Sequence, residues 1–212
     1  EAVMSEILIK NAHTVATMSD RLGILRDVDI HIRDGVVQAL GPNLRVEQTQ
    51  HVRVIDGRYR VIYPGFINTH HHLYQTLTRN IPLVQDVKLF DWLINLYEIW
   101  RELTPEAVEV STRVGLAELL LSGCTCTTDH FYVFPKSAPA EWIDIEIDTA
   151  RAMGIRFHPM RGSMSRSKKN GGLPPDDVVQ TPDTILEDCQ RVINKYHDPK
   201  PYSMCRLVLA PS

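Results

Sequence analysis

Four short apolar segments alternate with helical segments from residue 61 onward, and this alternation constrains the fold most strongly. Strands joined by crossover helices require a parallel sheet that helices cover. The sequence therefore predicts an α/β fold, either an eight-stranded barrel or a doubly wound sheet. No GxGxxG or P-loop follows any strand, which argues against the doubly wound alternative. The predicted strands begin near Val61, Cys124, Ile155 and Met204.

Three consecutive histidines follow the first of these strands, within the stretch PGFINTHHHLYQTLTRN from Pro64 to Asn80. Residues two apart in a strand point to the same face, so His70 and His72 are predicted to project together while His71 points away. Two imidazoles side by side at the end of a buried strand form half of a divalent-metal site, and imidazole suits zinc well. A purification tag would lie at a terminus instead.

The first 60 residues follow a different pattern, in which short strands alternate between apolar and polar residues. Asp34-Gly35 between two such runs is a strong hairpin signal. No catalytic cluster is visible here, and His13 and His31 are interpreted as surface or strand residues. We expect residues 1–60 to form a small β domain and residues 61–212 to form the first half of a barrel, strands 1 to 4.

The composition argues against several classes of function. A net charge of −3 and a pI near 6.3 give no electrostatic reason to expect binding to nucleic acid or to a membrane surface. No apolar run is long enough to span a bilayer, and no signal peptide opens the chain. The four cysteines form no CxxC pair and are interpreted as reduced core residues. A cytoplasmic protein is therefore expected.

The run Pro-Gly-Phe-Ile-Asn-x-His-x-His, residues 64–72, resembles the first-strand signature of the amidohydrolase superfamily, whose members are metal-dependent hydrolases on a (β/α)8 TIM barrel. The extension to Gln75 resembles the aminohydrolase and triazine-hydrolase branch. The segments LFDWL at 89–93, LTPE at 103–106 and MRGSMSRSKK at 160–169 look most like 8-oxoguanine deaminases. The resemblance covers nearly the whole chain, and it implies a small N-terminal β-sandwich domain beside the barrel.

Barrel enzymes place their sites at the C-terminal ends of the strands, and three further candidates fall there. Gln75 matches a substrate-amide position of guanine deaminases, with a helix-surface residue as the alternative. His130 is expected to line the pocket or to hydrogen-bond a ligand histidine, with an ordinary core or loop histidine as the alternative. Arg161 would donate to a substrate oxygen, and residues 163–172 would form either a mobile flap or a solvated basic loop.

The resemblance implies zinc-dependent hydrolytic deamination of an oxopurine, foremost 8-oxoguanine to urate and ammonia. One Zn²⁺ per subunit, or another divalent metal, would be bound by His70, His72, a later histidine and a late aspartate. Metal-bound hydroxide would attack the ring carbon that bears the amino group. The catalytic acid and base are expected beyond Ser212. Guanine or s-triazine amino- or chlorohydrolysis is the alternative, and an inactive N-terminal fragment is the alternative of another class.

The expected partner is a small-molecule purine or a related heterocycle, and the resemblance implies a homo-oligomer. Half a barrel would leave strand edges open. The sequence is therefore interpreted as the N-terminal portion of a longer protein.

Overall fold

In the computed structural model, which describes residues 6–47, 51–139 and 141–212, the chain divides into two compact units. The first unit comprises Glu1–Pro64 and the second comprises Gly65–Ser212. Within the described residues, none of the helices combines the length and the apolar character that crossing a bilayer requires.

The first unit consists of strands around a small apolar core. The strands are β1 Glu6–Ala16, β2 Ile24–Arg33, β3 Val36–Gly41, β4 Val52–Asp56 and β5 Val61–Ile62. Strand β1 pairs with β2 in antiparallel register and with β4 and β5 in parallel register, and β3 lies at the edge beside β2. Asp34 and Gly35 have positive φ angles of 51° and 76° between antiparallel β2 and β3, which confirms the predicted hairpin. The described strands of this unit form one sheet, so the second layer of a sandwich stays a prediction.

The second unit is a four-stranded parallel sheet with helices between its strands, which confirms the predicted α/β class. Its strands and α-helices are β6 Phe66–Asn68, α1 Leu89–Trp100, α2 Pro105–Leu121, β7 Cys124–Phe131, α3 Trp142–Met153, β8 Arg156–Ser163, α4 Pro182–Tyr196 and β9 Val208–Pro211. Short 3₁₀ helices cover Leu73–Thr78, Pro82–Val84 and Lys168–Asn170. The sheet order β6-β7-β8-β9 follows the order of the strands along the chain.

Local capping groups mark where helices of the second unit begin and end. The Thr104 hydroxyl accepts a hydrogen bond from the Ala107 N–H at 3.1 Å, and the Thr181 hydroxyl accepts one from the Thr184 N–H at 3.2 Å. Gly154 ends α3 in the left-handed conformation, with φ of 75°. The α2 and α4 helices therefore each begin directly after a threonine whose side chain caps the first turn.

Close packing beneath residues 69–72, which are called the histidine loop below, fixes the position of the candidate site. Leu73 and Tyr74, directly after His72, are completely buried. Helix α2 approaches them through Gly115, where an added Cβ would lie 2.5 Å from a Leu73 methyl group. Such a contact is too short for two carbon atoms, so a larger residue at position 115 would displace the segment that follows the histidines.

Candidate active site

The three histidines lie in a loop, between the end of β6 at Asn68 and the 3₁₀ helix Leu73–Thr78. The alternation of side chains in a strand therefore does not apply to them, contrary to the sequence argument. The rings of His70 and His72 nevertheless lie next to each other, with centroids 5.2 Å apart and planes nearly perpendicular at 88°. The loop conformation brings the predicted pair together.

The His72 ring is oriented by the backbone of β7. Its Nδ1 donates a hydrogen bond to the main-chain carbonyl of His130 at 2.8 Å. Because Nδ1 carries the proton, Nε2 presents a lone pair. Burial lowers the pKa of His72, and the hydrogen bond to the His130 carbonyl offsets this only in part. His72 is thus neutral at pH 7, which is the protonation state that binds metal ions.

His130 lies inside β7 and packs beside His72. The two ring centroids are 5.5 Å apart, and the His130 Nε2 lies 3.1 Å from the carbonyl oxygen of Ala210 in β9. Gly162 of β8 leaves room for this arrangement, since an added Cβ would lie 2.6 Å from the His130 Nε2. The His130 backbone orients His72, whereas a contact between the His130 ring and a substrate stays a prediction.

Gln75 shares a pocket of about 390 Å³ with the histidines. Its side chain is half-buried, and its Nε2 donates to the hydroxyl oxygen of Tyr74 at 3.4 Å. The pocket therefore combines imidazole, carboxamide and apolar groups. Its other walls include Asn80, Ile81, Val84, Gln85 and Trp92.

The Arg161 guanidinium is hydrogen-bonded to neighbouring protein groups and is 1% exposed, so its contact with a substrate stays a prediction. Its Nε donates to Asp188 at 2.6 Å, its Nη2 donates to Gln180 at 2.7 Å, and its Nη1 donates to the carbonyl of Gly162. The guanidinium carbon also lies 3.7 Å from the centre of the Phe134 ring. Arg161 thus anchors α4 to the end of β8, and donation to a substrate would require these contacts to break.

The loop after Arg161 is neither a free flap nor fully solvated. Its first residues, Ser163 and Met164, are buried, and the Tyr97 hydroxyl of α1 lies 3.5 Å from the Met164 sulfur. The Gln180 N–H donates to the Met164 carbonyl at 2.9 Å. The basic residues Lys168 and Lys169 are exposed. The part of the loop nearest β8 is therefore packed, and the basic part is solvated.

Two buried carboxyl groups close to the histidine loop were not among the site residues that the sequence predicted. Asp129 of β7 and Glu146 of α3 are both 0% exposed. Glu146 lies on the apolar face of α3, between the buried residues Ile143 and Ile147. A carboxyl group at an apolar-face position is the one sequence signal that could have identified it.

A complete metal centre is not present among the described residues, since no group of three or more His, Cys, Asp or Glu side chains is placed to bind an ion. His70 and His72 would supply two of the four ligands that zinc usually takes. A neutral imidazole with its second nitrogen bonded to a carbonyl is the donor that zinc prefers, so the pair fits this metal.

Comparison with models of known families matches residues 61–201 to the Amidohydrolase family. The chain belongs to the amidohydrolase family. This match confirms the resemblance that the motif at residues 64–72 indicated. It also agrees with the parallel strands of the second unit and with the histidines that follow β6.

Individual relatives of this amidohydrolase chain are longer enzymes. It is 41% identical to the 8-oxoguanine deaminase of Pseudomonas aeruginosa over 209 residues, which are 98% of this chain and 45% of that protein. It is 35% identical to the hydroxydechloroatrazine ethylaminohydrolase of Pseudomonas sp. strain ADP, over 99% of this chain and 45% of that protein. The chain thus spans about half the length of these curated relatives.

A solved structure supports the fold of the amidohydrolase chain. The atrazine chlorohydrolase of Arthrobacter aurescens TC1, in a structure complexed with zinc, matches 97% of this chain and 46% of that one, with a TM-score of 0.88 and 35% identity. The similarity extends over both units of this chain, each of which has its counterpart in that longer enzyme.

Proposed function

We propose that the protein containing this chain is a zinc-dependent aminohydrolase that removes the amino group of an oxopurine, with 8-oxoguanine as its substrate. The observation that carries the proposal is the His70 and His72 pair, in which His72 is held by the His130 carbonyl with Nε2 available. The 41% identity to an 8-oxoguanine deaminase supports the substrate.

His70 and His72 would hold the metal through neutral imidazoles. A bound zinc ion lowers the pKa of a coordinated water molecule toward neutrality. In the net reaction a C–O bond forms at the ring carbon that bears the amino group and the C–N bond breaks. One proton of water leaves with the amino group as ammonia, and the other stays on the oxopurine product. The remaining metal ligands and the groups that transfer protons would come from the part of the relatives' length that this chain does not span.

Gln75 would recognise the heterocycle. Its carboxamide both donates and accepts hydrogen bonds, as the edge of an oxopurine does. Ile81, Val84 and Trp92 line the same pocket and would cover the faces of a flat ring. His130 remains a second candidate for a contact with the substrate, because its ring lies next to that of His72.

The same proposal extends to the architecture of the whole protein. The four parallel strands would be the first half of a (β/α)8 barrel, with β6 as its first strand. The β unit of residues 1–64 would be part of a sandwich domain, and the whole protein would be a homo-oligomer.

The experiment measures bound zinc and initial rates of ammonia release from 8-oxoguanine, guanine and cytosine, with chloride release from a chlorotriazine. We expect zinc in the protein and turnover of 8-oxoguanine. The variant His72→Ala should lose both. His13→Ala is the matched control, since His13 is exposed in β1 of the other unit, and it should retain both.

Two results would contradict the proposal in different ways. Turnover of guanine or the chlorotriazine without turnover of 8-oxoguanine would reassign the substrate. Full activity of His72→Ala, or turnover in metal-free protein, would remove His70 and His72 from the reaction altogether.

A further inference from the structure

Two consecutive residues of β7 hold the histidine loop by three hydrogen bonds. The His130 N–H donates to the His71 carbonyl at 2.9 Å, and the His130 carbonyl accepts from His72 Nδ1 at 2.8 Å. The Leu73 N–H donates to Oδ1 of Asp129 at 2.5 Å. The first two bonds use main-chain groups of residue 130, which other amino acids could supply. The third requires the side chain of Asp129.

Asp129 makes this contact from a completely buried position. Within the described part of the chain, neither its Oδ2 nor either carboxyl oxygen of the buried Glu146 accepts a hydrogen bond from an N–H group or a hydroxyl. The His71 Nδ1 lies 3.9 Å from Oδ1 of Asp129, which is too far for a hydrogen bond. The Asp129 and Glu146 carboxyl groups instead lie close enough to share a hydrogen bond with each other.

A hydrogen bond between two carboxyl groups requires a proton on one of them. Two ionised carboxylates in contact, away from water, would repel each other strongly. Burial raises the pKa of both groups, and the neighbouring Asp129 raises that of Glu146 further. Asp129 accepts the Leu73 N–H, which stabilises a negative charge, whereas Glu146 accepts none. The proton therefore belongs on Glu146, which donates it to Oδ2 of Asp129.

From this geometry we infer that Asp129 is a positioning residue for the metal-binding loop, and that Glu146 is the proton-bearing partner that keeps Asp129 in place. Asp129 fixes the backbone directly after His72, and α3 is thereby connected to the loop that presents both histidines. The expected effect on zinc binding rests on the proposed function. The expected effect on how firmly the loop is held rests on the hydrogen bonds alone.

The test compares four variants with the unmodified protein. Asp129→Ala removes the acceptor for Leu73, whereas Asp129→Asn keeps an acceptor for Leu73 and adds a donor toward Glu146. Glu146→Gln replaces the protonated carboxyl by a neutral amide that can still donate. Asp144→Asn is the matched control, because Asp144 is a buried carboxylate of the same helix that contacts α4 instead of the loop.

Three measurements apply to each variant, which are the zinc dissociation constant, the exchange rate of the Leu73 amide proton, and the ¹³C signals of labelled glutamate carboxyl groups. We expect Asp129→Ala to weaken zinc binding by about tenfold or more and to speed Leu73 exchange. Asp129→Asn and Glu146→Gln should bind zinc within about threefold of the unmodified protein. One protonated glutamate signal at neutral pH should be present and should vanish in Glu146→Gln.

The outcomes separate this inference from the proposed function. If Asp129→Ala binds zinc normally and its Leu73 exchange matches that of Asp144→Asn, the positioning role is wrong while the proposed function stands. A glutamate spectrum without a protonated carboxyl would overturn the role of Glu146. If the unmodified protein binds no zinc, the proposed function fails, and the Leu73 exchange rates and the glutamate signal still decide the inference.

Discussion

Helix α3 carries two buried carboxyl groups, two residues apart, whose surroundings differ in one respect. Asp144 is 4% exposed and accepts hydrogen bonds from Arg191 at 2.7 Å and from Lys195 at 2.6 Å, both in α4. Glu146 is 0% exposed and faces Asp129 of β7. The first group is matched by cations, and the second, among the described residues, is matched only by another carboxyl group.

This difference moves the two pKa values in opposite directions. Burial would raise the pKa of Asp144, but the hydrogen bonds from Arg191, Lys195 and Tyr196 outweigh it and lower the pKa. Burial raises the pKa of Glu146, and the charge of Asp129 raises it further. The cost of burying a carboxyl group is thus offset by cations where α3 meets α4, and by a retained proton where α3 meets β7.

The largest effect on stability is expected at the pair without cations. Asp129→Ala should lower the free energy of unfolding by about 3 kcal/mol, because the buried Leu73 N–H and the Glu146 carboxyl both lose their partner. Urea unfolding at pH 7 measures this value. A loss below about 1 kcal/mol would mean that water replaces the Asp129 carboxyl group, and the contrast between the two sites would disappear.

A smaller loss is expected at the site with cations. Asp144→Ala should cost about 2 kcal/mol in the same urea experiment, because the partner side chains can turn toward solvent once the carboxylate is gone. The side chains of Arg191 and Lys195 are already 30% and 52% exposed. A cost equal to that of Asp129→Ala would show that exposure of the partners does not matter here.

The pH dependence of stability should have opposite signs at the two sites. The lowered pKa of Asp144 gives stability that is present above the unfolded value of 3.8 and is lost as the pH falls below it. The raised pKa of Glu146 gives stability that is present below 4.5 and is lost as the pH rises, by at most about 1.4 kcal/mol per pH unit for one proton.

Unfolding free energies measured from about pH 3 to about pH 8 would test the opposite pH dependence of the two sites. Glu146→Gln should flatten the decline on the alkaline side and leave the acid side unchanged. Asp144→Asn should do the reverse. Identical profiles for the two variants would contradict the assignment of cations to one site and of a proton to the other.

The smallest difference concerns salt. Raising the ionic strength should weaken the Asp144 site slightly, because Lys195 is half exposed, and should leave the buried pair unaffected. The melting temperature of Asp144→Asn should therefore depend less on salt than that of the unmodified protein. Glu146→Gln should show the same salt dependence as the unmodified protein, and a different dependence would place ions near the buried pair.

Features that depend on neighbours within a few residues could be predicted from the sequence. The caps at Thr104 and Thr181 and the turn at Asp34-Gly35 are of this kind, because the groups that form them are at most four residues apart. Arg161 shows the limit of such reasoning. Its position at the end of β8 was evident, but its direction is decided by Asp188, which lies 27 residues later in the chain.

The amino-acid sequence by itself determined the family and the two histidines, since both depend on a short contiguous motif and on residue type. The tertiary structure alone decided what those histidines contact. The carbonyl that orients His72 lies 58 residues away, and the pairing of Asp129 with Glu146 depends on how α3 packs against β7. Hydrogen-bond partners and protonation are set by burial and by groups distant in sequence, and only the folded chain brings these together.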